Sequence, residues 1–182
     1  MFCQDNYTRT LRYAARAHAK QVTFEDLPYI THVVGVTTEV IHASIESKID
    51  DEKTNFAISV SLLHDILEKT RTTYDDIFDN FGLDIAEAVE SLSKNYDLDK
   101  KQQFQDNMER LLAQPYEIQM IKLADRINNL CVEPEFWDED EIESYIKDSK
   151  LIYSCLKNSN VYLADRLNEK IKEFEKYLED NK

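Results

Sequence analysis

Apolar residues recur at helical spacing along almost the whole of this chain. Over 7–22, Leu11, Ala14, Ala15, His18 and Val22 predict a first helix. After Pro28, the stretch 30–45 carries Val33, Val36, Val40 and Ile41 on one stripe, with His32 beside it. The run 56–67 is apolar around most of its circumference, which predicts a central, buried helix. Thr72-Thr73-Tyr74-Asp75-Asp76 reads as an N-cap followed by an acidic first turn, and Gly82 closes that short helix. Further helices are predicted over 84–93, 100–113, 116–130, 138–158 and 161–178. No segment alternates in the manner of a strand, and no Gly/Ser-rich linker divides the chain. The expectation is an all-α fold in one domain, 1–182, with the charged amphipathic segments of 138–182 covering the core rather than forming a dimerisation arm.

Composition narrows this picture. Two glycines and three prolines in 182 residues argue against a turn-rich β fold, and Pro28, Pro115 and Pro134 fall between the periodic segments. Cys3, Cys131 and Cys155 are odd in number and form no C-x-x-C, which argues against a disulfide framework and a thiolate zinc site. Met1-Phe2-Cys3-Gln4-Asp5 lacks a basic stretch followed by an apolar one, and no apolar run could span a bilayer. A reducing cytoplasm is the expected setting. The net charge of −14 disfavours nucleic acid and anionic membranes as partners. It also means that a small phosphorylated substrate would have to be attracted locally, by a bound cation and a few lysines and arginines.

The candidate chemistry rests on His32, the adjacent His64-Asp65, and Asp125. Two imidazoles and two carboxylates suit one divalent metal with open positions for water. Taken singly, a histidine on an apolar helix is more often a packed core residue. The His-Asp pair is more informative, because it interrupts Ser61-Leu62-Leu63 and Ile66-Leu67, where an unpaired buried carboxylate is costly. A bound metal resolves that cost. On a continuous helix Glu68 would share a face with His64 and Asp65, in reach of a general-base role. Lys122 and Asn129 stand one turn to either side of Asp125, offering a cation for phosphate and an amide for a sugar hydroxyl; Lys122 would serve equally in a surface ion pair. Mixed nitrogen and oxygen ligands suit Mn²⁺, Fe²⁺ or Zn²⁺.

Together, Pro28-Tyr29-Ile30-Thr31-His32, Leu62-Leu63-His64-Asp65-Ile66-Leu67-Glu68, Phe81-Gly82 and Lys122-Leu123-Ala124-Asp125-Arg126-Ile127-Asn128-Asn129-Leu130 resemble the HD-superfamily hydrolase domain of RelA/SpoT proteins, in its stand-alone small alarmone hydrolase form. The likeness runs from about Tyr7 to Leu156. It implies a compact HD-type helical domain that binds one Mn²⁺ through His32, His64, Asp65 and Asp125. It further implies that water attacks the 3′-diphosphate of guanosine tetra- or pentaphosphate and releases pyrophosphate, with Glu68 helping to activate the water and Asn129 contacting the ribose.

Two positions depart from that family. Lys69 stands where a second acidic residue usually follows Glu68, and it could pair with Asp65 or bind a substrate phosphate. Thr23-Phe24 replace the Arg-Lys pair that holds guanine. Two other readings are therefore carried: an HD phosphohydrolase acting on another nucleotide, and a catalytically weakened domain that senses an alarmone or binds a protein. Leu163-Ala164-Asp165-Arg166 repeats Leu123-Ala124-Asp125-Arg126, but no second His-Asp accompanies it. Asp165 is expected to be a surface residue of the last helix.

Overall fold

The computed structural model describes residues 2–179. Its elements are α1 (Gln4–Ala17), α2 (Ile30–Glu46), α3 (Asp51–Leu63), α4 (Ile66–Lys69), α5 (Tyr74–Phe81), α6 (Leu83–Leu92), α7 (Lys100–Leu112), α8 (Tyr116–Asn129), α9 (Glu139–Leu156) and α10 (Val161–Glu179). The fold is all-α. Among the described residues the only β pairing is an isolated bridge between Val22 and Pro28.

At the centre lie α2, α3 and α8, each packed against the other two. The seven residues from Ala57 to Leu63 are all buried, as an apolar circumference requires. One face of α8, from Ile118 through Ile121 and Ala124 to Ile127, completes this core. On one side α1 covers α3; on the other, α9 and α10 close over α8. Ile142, Ile146 and Ile152 of α9 and Leu167, Ile171 and Phe174 of α10 form their inward stripes.

Local chemistry sets the helix starts. Asp50 caps α3 by accepting from the Lys53 N–H at 3.0 Å. Thr73 with Asp76, Asp99 with Gln102, and Asp138 with Glu141 each form a reciprocal capping box. Gly82 sits at φ +89°, a backbone region closed to most side chains, and there α5 hands over to α6.

Two predicted helices end earlier than expected. The first ends at Ala17 with His18 as its C-cap, and residues 21–28 fold into a tight loop instead. The Thr23 N–H donates to the Leu27 carbonyl at 2.8 Å, and Asp26 takes φ +60°. Val22 matched the helical period but is 57% exposed, so it was never part of the buried stripe. The central helix, expected to run through 67, stops at Leu63.

Candidate active site

That stop sits at the metal-ligand candidates. His64 caps α3, Asp65 turns at φ −102°, ψ 0°, and α4 begins at Ile66. Glu68 therefore shares no helix face with His64, since no continuous helix joins the two. The turn instead aims both ligand candidates at one point. The His64 Nδ1–H donates to the Ser61 carbonyl at 2.8 Å, in the last turn of α3, where carbonyls run short of intrahelical donors. This leaves Nε2 free and pointing away from α3.

His32, in the first turn of α2, is held in the same manner by a different partner. Its Nδ1–H donates to Asn128 Oδ1 of α8 at 2.8 Å, and its Nε2 lies 3.3 Å from that of His64. Asp125 Oδ1 stands 3.5 Å and 3.8 Å from the two Nε2 atoms. Asp65 Oδ2 stands 3.7 Å from His32 Nε2 and 3.5 Å from His64 Nε2. The four predicted ligands thus converge from three helices and a turn, and His32, His64 and Asp125 form a group able to hold a metal ion.

The surroundings fit a divalent cation. All four side chains are at most 16% exposed, and two carboxylates meet two imidazole nitrogens whose other ring positions are already bonded. Burial pushes the His32 imidazole below its ordinary pKa, which favours the neutral, ligating form. Burial pushes the Asp125 carboxyl up, but Lys122, His64, His32 and Arg126 more than reverse this and hold it well below the usual carboxylate range. For Asp65 burial again raises the pKa, as does the nearby Asp125, yet His64, the Tyr29 hydroxyl and His32 bring the net shift downward. Tyr29 donates its O–H to Asp65 Oδ2.

The remaining predicted residues gather on the same centre. Asn129 Nδ2 donates to Asp125 Oδ1 at 2.8 Å, and Lys122 Nζ lies 3.3 Å from Asp125 Oδ2. Both line a cavity of about 480 Å³ whose floor includes Asp65 and Asp125. Glu68 reaches this cavity from α4. Its Oε1 accepts from the Lys94 N–H at 2.7 Å and its Oε2 from the Tyr96 hydroxyl at 3.1 Å. The 93–96 segment is positioned by Asn107 and Arg110, which cap the carbonyls at the end of α6.

Periodicity did not reveal Lys94, Tyr96 and Asn128, nor Tyr145 and Asp148 on the α9 wall of the cavity. Lys94 and Tyr96 lie in a loop without periodicity, and α9 reads from sequence as a covering helix. Asn128 had a faint signal, three residues after Asp125 and therefore one turn along the same helix. Asp165 is exposed, as expected, while Leu163 and Ala164 beside it are buried.

A second cavity, of about 650 Å³, opens between the 21–28 loop and residues 131–132 and shares Tyr29, Lys69 and Asn129 with the first. Phe24 is 88% exposed at its edge. Lys69 is exposed where the two cavities meet and forms no ion pair with Asp65 among the described residues. Its carbonyl accepts from Gln21 Nε2, which ties the loop to α4.

Residues 10–160 match the HD domain family. The chain belongs to that family. It is 28% identical to the Drosophila melanogaster guanosine-3′,5′-bis(diphosphate) 3′-pyrophosphohydrolase MESH1 over 169 residues, covering 90% of this chain and 91% of that one. To the Xenopus tropicalis MESH1 it is 30% identical over 162 residues, covering 85% and 87%. The likeness to the Escherichia coli bifunctional (p)ppGpp synthase/hydrolase SpoT is 37% over 123 residues, which is 16% of that longer protein. Among solved structures, one reported as "A metazoan ortholog of SpoT hydrolyzes ppGpp and plays a role in starvation responses" superposes with a TM-score of 0.80 at 26% identity, covering 95% of this chain and 97% of the other. A Listeria monocytogenes protein shares the fold, with a TM-score of 0.61 at 20% identity, covering 84% and 97%.

Within this HD domain, Gly35 of α2 has a clear task. A Cβ at that position would meet the Asn128 amide, 3.1 Å from its Cγ and closer still to its Nδ2. Gly35→Ala should displace Asn128 and release His32. A metal titration of the folded variant should show affinity lower by about 10–100-fold, the usual loss on disturbing a group that orients a ligand. Unchanged affinity would mean that Asn128 does not orient His32.

Proposed function

We propose that this chain is a divalent-metal-dependent phosphohydrolase that removes the 3′-diphosphate of guanosine 3′,5′-bis(diphosphate), with Mn²⁺ as its metal. One juxtaposition carries the reading. In a chain of net charge −14, Asp65 and Asp125, which converge with His32 and His64, line a cavity that is also lined by Lys69, Lys94, Lys122 and Arg126. The acidic chain supplies cations where a polyphosphate would lie.

His32, His64, Asp65 and Asp125 would hold the ion, which supplies Lewis-acid polarisation of a phosphoryl oxygen and a water of lowered pKa. Asn128, Ser61 and Tyr29 orient His32, His64 and Asp65 respectively. Asn129 and Lys122 position Asp125, and Lys122 also faces the cavity with charge for a phosphate. Arg126 stacks its guanidinium 4.1 Å from the Tyr145 ring centroid and donates to Ser149, which directs it along the α9 wall. Glu68 stands in the same cavity as proton acceptor, oriented by the Lys94 N–H and the Tyr96 hydroxyl. Because α9 walls this cavity, residues 138–182 act as part of one domain with the rest. The exposed free thiols of Cys3, Cys131 and Cys155 support a reducing, cytoplasmic setting.

The test is a hydrolysis screen of the protein reconstituted with Mn²⁺, Fe²⁺ or Zn²⁺ over a panel of nucleotides including guanosine 3′-diphosphate 5′-diphosphate. Pyrophosphate release from that nucleotide, fastest with Mn²⁺, is expected. No release with any metal would defeat the proposal. One observation favours a second reading, in which another phosphorylated nucleotide is preferred: around the loop cavity, Thr23 and Phe24 bring no charged donor for a base. An exposed ring stacks on any nucleobase without choosing guanine.

Lys69 separates a competent hydrolase from a weakened one. Lys69 lines both cavities, which suits contact with a phosphate. Lys69→Ala and Lys69→Asp should therefore both raise KM, by about tenfold for a charge-assisted contact. A higher kcat in Lys69→Asp would instead show that a carboxylate is missing at this position.

A further inference from the structure

Away from the catalytic cavity, α1 gathers three of the chain's seven arginines, Arg9, Arg12 and Arg16, on one face, with Asp5 as the helix's only acid. Spacings of three and four residues bring their guanidinium groups together, although like charges at such spacing repel. In a chain where acids outnumber bases by 36 to 22, this segregation stands out. The arginines line a cavity of about 450 Å³ between α1 and the end of α5, with Asn80 and Phe81 opposite and Asp5 and Thr8 at the rim.

The three are not equivalent. Arg9 is committed: its Nη1 donates to the Asn80 carbonyl at 3.0 Å, its Nη2 to Asn6 Oδ1 at 3.3 Å, and its Cζ lies 5.0 Å from the Phe81 ring centroid. Phe81 is itself braced edge-on by Tyr13 at 5.1 Å. Arg12 and Arg16 are exposed and form no ion pair among the described residues. Beside a fixed cation, two planar forks are thus left free at the wall of a recess. Guanidinium forks match phosphoryl oxygens two at a time, which suits an anion with several such groups.

We propose that this α1–α5 recess is a second ligand site that binds a polyphosphate anion through Arg12 and Arg16, with Arg9 adding charge. The site has a structural route to the catalytic centre. Arg16 lies two residues before His18, the C-cap of α1, whose ring stacks on Tyr29 at 5.0 Å, and Tyr29 donates to Asp65. The proposal does not depend on the hydrolytic reading, because it concerns binding alone.

Inorganic tripolyphosphate, titrated into the full-length ¹⁵N-labelled protein without added metal, tests it. Saturable amide shifts over Thr8–Ala17 and at Asn80 and Phe81 are expected, with affinity at least tenfold weaker in Arg12→Gln/Arg16→Gln. Both substituted side chains are exposed, so the double variant should keep the helical circular dichroism of the wild type. Shifts confined to residues around His32, His64 and Asp125 would overturn the proposal. So would scattered, non-saturating shifts, or equal affinity in the double variant.

Discussion

Asp125→Ala should remove the metal and lower hydrolysis by about 10³-fold or more, the loss expected when a group that holds a Lewis-acid centre is deleted. Asp125 Oδ1 is the atom on which His32, His64 and Asn129 converge, while its Oδ2 faces Lys122. Without the carboxylate, the Lys122 ammonium, only 14% exposed, also loses its partner. Breaking a buried pair by removing one member destabilises by about 3–5 kcal/mol, so some loss of thermal stability should accompany the loss of metal. Asp125→Asn keeps the shape and removes the charge; it should lose metal with a smaller change in Tm. Asp165→Ala, in the matching Leu-Ala-Asp-Arg sequence of α10, should leave both properties intact, because Asp165 is exposed. Metal analysis of the purified variants decides the matter: equal content in wild type and Asp125→Ala would refute the shared-metal assignment.

Glu68→Gln should lower kcat by about 10²–10⁴-fold, the range typical of a positioned proton acceptor. The carboxylate is buried in the cavity wall, with one oxygen on the Lys94 N–H and the other on the Tyr96 hydroxyl. Those two bonds create a competing account, in which Glu68 merely fastens the 93–96 segment and so positions Lys94. Tyr96→Phe distinguishes the two, because it removes one fastening and leaves the carboxylate. A proton-accepting Glu68 predicts a small effect for Tyr96→Phe and a large fall in kcat for Glu68→Gln. If both variants raise KM alike and leave kcat within about threefold of wild type, the positioning account is correct and Glu68 is not the base.

Asp125 is legible from its residue type and its place in Lys122–Leu130, and tertiary structure brings it to the other ligand candidates. Glu68 entered through helix spacing that the structure does not contain, yet it reached the same cavity by the turn at His64-Asp65. The apolar periodicity of 56–67 spans that turn without a mark, because both pieces bury their apolar residues in one core and neither Gly nor Pro interrupts them. Lys94 and Tyr96 carried no signal, since a loop residue acquires a role only from what folds against it.

Properties set within one or two helical turns were determined by the sequence alone. These include the all-α class from apolar spacing, the capped helix start at Thr73, the helix stop at Gly82, and the chemical types of the four ligand candidates. Tertiary structure decided what depends on residues far apart in the chain. His32 and His64 meet across 32 positions, and His32 is held by Asn128 across 96. That meeting requires α8 to approach α2 at Gly35, a distance set by the absence of one Cβ. The division of a surplus of negative charge into a cation-lined cavity and an arginine-lined recess is likewise a matter of packing. Sequence counts charges, but only the fold determines which of them face one another.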